Sequence, residues 1–217
     1  MKERGMIFNG EMVRAILDGR KTQTRRIMAP QPADDIERCI FPNPEAIGWK
    51  SSLRHKHGST TAHFCHYGKP GDRIWVRETW ARYNIDQNSH DIAYRATTPA
   101  DWPEEGLWRP SIHMLRWASR ILLEITDVRV ERLNAISPED AESEGLERTN
   151  FTGFGDEPGL PSYPEPDVYF DPLKKQWKEY PPEAFAGLWE SIYGEGSWNA
   201  NPWVWVIEFK RVEGGTA

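Results

Sequence analysis

Eight consecutive residues, Gly19-Arg20-Lys21-Thr22-Gln23-Thr24-Arg25-Arg26, bring together four cations and three hydroxyl or amide side chains. A threonine hydroxyl becomes a nucleophile when a base takes its proton. A lysine serves as that base when burial or neighbouring cations lower its pKa, and Arg20, Arg25 and Arg26 have the right sign for that. Thr24 as nucleophile and Lys21 as base would suit amide hydrolysis. The same residues also suit a solvated basic loop, with Thr24 capping a turn and Lys21 touching a phosphate.

The elements around the stretch place it at the exit of a helix. Val13, Ile16 and Leu17 fall at i, i+3 and i+4, Asn9 fits an N-cap and Gly19 a C′ position. Past Gly19 the chain is expected to be extended, with Thr22, Thr24 and Arg26 on one side and Lys21, Gln23 and Arg25 on the other. A lysine and a threonine three apart could still meet across the turn. Strands are expected at 6–8, 73–80, 92–96, 119–133 and 203–211, with Asp127 marking a bulge or turn. Ser137-Pro138-Glu139-Asp140 reads as a helix start ending at Gly145. Pro181-Pro182 open a second helix, with Phe185, Leu188, Trp189 and Ile192 on one face and Gly194 as its stop.

Four stretches in order resemble the ASCH domain family, small β-barrels related to the PUA fold. Gly19-x-Lys21-x-x-Thr24-x-Arg26 resembles the family signature, in its threonine form. Gly71-Asp72-Arg73-Ile74-Trp75-Val76 resembles the strand after it. Ala141-Glu142-Ser143-Glu144 resembles the segment that holds a catalytic glutamate, and Val206-Ile207-Glu208-Phe209-Lys210 the closing strand. The matching parts cover about half of the chain, which looks most like the long, tryptophan-rich form of phages and prophages. The resemblance implies an α+β, PUA-like small mixed β-barrel with short helices, one domain over 1–217 with loop insertions at about 27–66, 97–115 and 146–180. It also implies a catalytic set of Lys21, Thr24 and Glu144 that removes an acyl group from N4 of a cytosine nucleoside, with Arg26 binding substrate oxygen or phosphate.

Arg77 and Glu78 close the 73–80 strand and are candidates to face the ligand, or an edge salt bridge. Trp75, Trp80, Trp198 and Trp203 lie beside the matching strands. Stacking a base on such a ring is worth about 1–3 kcal/mol, although core packing also uses tryptophan. Asn199 and Asn201 are placed to read a base edge or simply to close a turn. The substrate-binding set is thus Arg26, Arg77, Glu78, Trp75 and Asn201. The same features fit a PUA-like module that binds RNA or modified nucleic acid without catalysis, or a ribonuclease.

His55, His57, His63, Cys65 and His66, with Cys39 upstream, are metal-ligand types at close spacing, but no C-x-x-C or H-x3-H pair is present. No catalytic metal or cofactor is expected. Net charge is −6 and the pI about 5.6. That balance disfavours coating long nucleic acid by charge alone and favours a nucleoside or nucleotide substrate. Two cysteines argue against a disulfide framework. The sequence contains neither a signal-peptide pattern nor a long apolar run, so a cytoplasmic chain without membrane partners is expected, in a bacterial host if the phage resemblance holds.

Overall fold

The structure is a computed structural model that describes residues 1–42, 50–56, 60–82, 91–102, 106–149 and 168–212. It is a mixed α+β chain. In order it runs β1 (Glu3–Ile7), α1 (Gly10–Leu17), β2 (Gln23–Ile27), β3 (Ile36–Pro42), β4 (Lys50–His55), β5 (Thr60–Phe64), β6 (Arg73–Arg77), β7 (Trp80–Arg82) and β8 (Ile92–Tyr94). It continues with β9 (Leu122–Arg132), α2 (Pro138–Ser143), β10 (Arg148–Thr149), β11 (Val168–Asp171), β12 (Gln176–Lys178), α3 (Pro181–Tyr193) and β13 (Trp203–Arg211).

Five strands form the central sheet in the order β1-β6-β9-β13-β2, so the segments around 73–77, 122–132 and 203–211 do share one sheet. β1 runs parallel to β6, and the other pairings are antiparallel. The β9–β13 register shifts between Glu208 and Phe209, opposite Asp127 and Ile125, which sets the bulge expected near Asp127 at Thr126.

Alternation along the strands gives this sheet two apolar faces. One packs Ile74, Val76, Val128, Val130, Trp205 and Ile207 against Met12, Val13 and Ile16 of α1. The other sets Val204 and Val206 against Ala141 of α2, Leu146, Tyr169, and Ala184, Phe185, Leu188 and Trp189 of α3. The α1 ends follow the sequence closely. Asn9 Oδ1 accepts from the Met12 amide at 2.8 Å, and Gly19 takes the left-handed φ of +76°.

Three expectations need correction. Among the described residues the sheet does not close into a barrel. Its edge strands β1 and β2 are bridged by a side chain, Arg26 Nη2 donating to the Ile7 carbonyl at 2.9 Å, and not by a ladder. The 27–66 segment is not a plain loop insertion. β3, β4 and β5 form an antiparallel sheet whose Ile36 and Leu53, with Cys65 just beyond, enter the first core. In 146–180, β10, β11 and β12 form another sheet, and Leu146 and Tyr169 join the second core. In β4 Leu53 stands alone among polar neighbours, and β10, β11 and β12 have only two to four residues each, too few to set a period.

Candidate active site

Lys21 and Glu144 are brought together by backbone as well as by side chain. They form an isolated antiparallel bridge, and the Thr22 amide donates to the Ser143 carbonyl at 2.9 Å. The six-residue α2 starts where Ser137 accepts from the Asp140 amide at 3.1 Å, and it ends at Glu144. Gly145 then takes a φ of +87°. A Cβ there would lie 2.7 Å from Lys21 Cβ and 2.8 Å from Ala15 Cβ, so only glycine lets the chain pass this close.

Lys21 Nζ donates to Glu144 Oε2 at 2.7 Å and to the Glu144 backbone carbonyl at 2.8 Å. The second bond satisfies a carbonyl left open at the helix end, where the helix dipole also favours a cation. Arg25 Nη1 reaches Glu144 Oε1 at 3.2 Å, so both carboxylate oxygens are engaged. The Lys21 and Arg25 side chains are wholly enclosed. Burial pushes the Lys21 pKa down; the nearby Glu144 charge opposes this, and Arg26 and Arg25 add to the lowering.

Around this pair lies a larger ionic cluster on the same sheet face. Arg25 Nη2 pairs with Asp140 Oδ2 at 2.8 Å and Glu131 Oε2 at 3.1 Å. Arg129 pairs with Asp140 and Glu131, each at 2.6 Å, and with Glu208, and donates to Gln23 Oε1 at 3.1 Å. Burial works to raise the Asp140 pKa, but Arg129 and Arg25 hold it below the usual carboxylate value. For Arg129, burial favours the neutral form, and Glu131 and Asp140 outweigh it and keep the guanidinium charged. Sequence reasoning missed Asp140, Glu131, Arg129 and Glu208 as partners. The available signals were Asp140 and Glu144 at i, i+4, and Arg129 and Glu131 at period two.

Thr24 is not part of this cluster. Gln23 and Arg25 meet the ionic cluster, whereas Arg26 turns to the Phe8 ring, 5.2 Å away, so alternation puts Thr24 on the face opposite to Arg25. Its register partner is Ile207 of the first core. Thr24 is fully buried and its Oγ1 has no hydrogen-bond partner, so the expected Lys21–Thr24 bond is not formed. Arg26 likewise turns away from Glu144.

The remaining predicted residues are distributed elsewhere. Glu78, 1 % exposed, is held by Arg120 through bonds of 2.9 and 3.0 Å. Burial raises its pKa, and Arg120 only partly offsets that. Arg77 donates to the Ser111 and Ile112 carbonyls and lies 5.5 Å from the Trp75 ring. Asn201 closes a turn: its φ is +43° and its Oδ1 accepts from the Asn134 amide at 2.9 Å. Trp80 and Trp203 are buried, and Trp198 packs on the second core.

Two clefts flank α1. A small one, about 130 Å³, is lined by Glu144, Gly145, Arg14, Arg20, Leu188 and Phe170. A larger one, about 400 Å³, is lined by Phe8, Asn9, Arg14, Glu78, Arg95 and Ser111. Arg14 borders both, so Glu144 and Glu78 face separate spaces.

Among the described residues, no group of three His, Cys, Asp or Glu is placed to hold a metal. His57 and the side chains of Cys39 and His55 lie outside the described part. His63 meets Thr61 Oγ1 at 3.2 Å, His66 packs on Tyr67, and burial pushes the Cys65 thiol up to about 11. No helix among the described residues is long and apolar enough to cross a membrane. Comparison with protein-family models, with curated proteins and with solved structures finds no match to this chain.

Proposed function

We propose that the chain is a PUA-like amidohydrolase that removes the acyl group from N4 of an acylated cytosine nucleoside, with Lys21 and Glu144 as its reacting pair. The observation that carries this reading is the enclosed 2.7 Å contact between Lys21 Nζ and Glu144 Oε2, beside a cleft that Glu144 lines. Moving one proton along that bond converts ammonium and carboxylate into amine and carboxylic acid. The second form offers a base and an acid together, which amide hydrolysis uses in sequence. Water adds to the acyl carbon, the C–N4 bond breaks, and the products are a carboxylic acid and the free amino group of cytosine. The lowering of the Lys21 pKa by burial favours the amine form. The resemblance to the ASCH signature supplies the substrate class.

In this arrangement the attacking oxygen comes from water in the cleft, because Thr24 faces the other side of the sheet. The position of Thr24 is also the observation that favours a second reading, a nucleic-acid-binding module in which Lys21, Arg25 and Glu144 only fasten α2 to the sheet. Incubating the full chain with N4-acetylcytidine and measuring released cytidine separates the two. Turnover by the natural chain, lost in Lys21→Met and retained in Thr24→Val, is the expected result. Absence of turnover on acylated cytosine nucleosides would overturn the enzyme reading. Activity is expected to survive a chelator, since Lys21 and Arg25 occupy both Glu144 oxygens and repel a cation. Loss with a chelator and recovery with zinc would move the chemistry elsewhere.

A further inference from the structure

We propose that the surface carrying Trp117, Arg82 and Arg109 docks single-stranded nucleic acid. This inference is independent of the Lys21–Glu144 chemistry and uses none of its residues. Residues 73–82 and 106–120 carry six arginines and one acid, Glu78, in a chain whose net charge is −6. Glu78 is buried and matched by Arg120, and Glu3 of β1 pairs with Arg116 at 2.9 Å and with Arg73 at 4.0 Å, so the charge left over is that of Arg77, Arg82 and Arg109. Among the described residues, Arg77, Arg82 and Arg109 pair with no carboxylate, in contrast to Arg25 and Arg129 under α2.

These cations lie over aromatic rings. The Arg82 guanidinium is 5.7 Å from the Trp117 ring centre, and that of Arg109 is 5.4 Å from Trp80. Trp117 stands edge-on to Trp80 at 5.7 Å and 88°, and it is 50 % exposed. Ile112 and Leu115 beside it are more than half exposed. The floor is firm. Trp80, Met114 and Ala118 form their own small core, and Trp80 and Arg109 exchange two backbone bonds of 3.2 and 2.7 Å.

A half-exposed ring beside guanidinium groups that, among the described residues, pair with no carboxylate matches two features of a single strand at once. An unpaired base supplies a π-face to stack on the ring, and the phosphates supply charge for the arginines. A duplex hides its base faces, and an acidic protein offers charge without stacking planes. The three arginines without a carboxylate partner select a polyanion, and the half-exposed indole selects one with free aromatic faces.

The test uses the full chain and labelled oligothymidylate and oligouridylate of about twenty nucleotides. Anisotropy is read between about 50 and 200 mM salt, beside a duplex of the same length and an acidic peptide. Single strands are expected to bind more tightly than duplex or peptide, with log K falling linearly in log salt. Trp117→Ala is expected to weaken binding by at least about five-fold. Arg82→Gln with Arg109→Gln is expected to lower the salt slope by about 1.4 while leaving the ring in place. Trp177→Ala, an exposed indole elsewhere, should change nothing. Thermal melts confirm that each variant is folded. No binding at the lowest salt, equal or tighter binding of duplex or peptide, or equal losses in Trp177→Ala and Trp117→Ala would overturn the proposal. Release of cytidine from the free acylated nucleoside, followed in the same variants, should not respond to Trp117→Ala, so failure here and failure of the hydrolase reading are distinguishable.

Discussion

Glu144 and Glu78 are both buried carboxylates held by arginine, yet their surroundings differ. Glu78 has one partner, Arg120, whose side chain is 24 % exposed and lies 4.0 Å from the Tyr94 ring centre. Glu144 has two partners, Lys21 and Arg25, whose side chains are both enclosed. Burial raises the Glu78 carboxyl above its ordinary value because a single, partly solvated cation does not cancel desolvation. What matters for stability is the charge left behind when the acid is removed. Arg120 can turn to solvent, whereas Lys21 and Arg25 remain enclosed.

The sharpest way to break this comparison is to delete each acid. Glu144→Leu is expected to destabilise by about 3–5 kcal/mol, the usual range when one half of a buried pair is lost. Urea unfolding would measure it, and a loss below about 1 kcal/mol would contradict the enclosed-cation account. Combining Glu144→Leu with Lys21→Met should recover most of the loss, because Arg25 keeps Asp140 and Glu131. Glu78→Gln should cost only about 1–2 kcal/mol. A cost equal to that of Glu144→Leu would remove the distinction between the sites.

Thr24→Val is the smaller probe. It keeps the shape and removes a buried hydroxyl that has no partner, so stability should rise by about 1 kcal/mol. A fall in stability would mean that the hydroxyl has a bond supplied by water.

The smallest effect is the pH dependence, in which the two sites tilt opposite ways. Glu78 has a folded pKa above its ordinary 4.5, so the native state keeps a proton the unfolded chain has lost. Its contribution is full below 4.5 and fades as pH rises through the folded value. Lys21 has a folded pKa below its ordinary 10.5, so its contribution is full above 10.5 and is lost as pH falls through the folded value. Unfolding midpoints plotted against pH should therefore lose their weakly acidic decline in Glu78→Gln. They should lose their alkaline rise in Lys21→Met.

The elements with a strong period were legible in the sequence. α1, α3, β13 and the Ser137 start of α2 fall where apolar spacing and capping residues put them. β4 was not, because Leu53 is the one apolar residue in Lys50–His55 and alternation cannot be read from a single point. The strand faces around Lys21 were legible too, with Lys21, Gln23 and Arg25 on one side and Thr24 and Arg26 on the other. That same alternation separates Thr24 from Lys21, and the expectation that the two meet across the turn did not respect it. The Lys21–Glu144 contact itself had no local signal. It depends on α2 docking against the sheet, which only the tertiary fold decides.

Lys21 holds residue 144 twice, once by its carboxylate and once by its backbone carbonyl. Substitution can erase the first of these grips but not the second, since every amino acid brings the same carbonyl. A mutant at 144 therefore changes the field felt by the ammonium while its address in the molecule is kept. Position 144 is accordingly a dial for charge, and moving the lysine itself would require rebuilding the helix end that faces it.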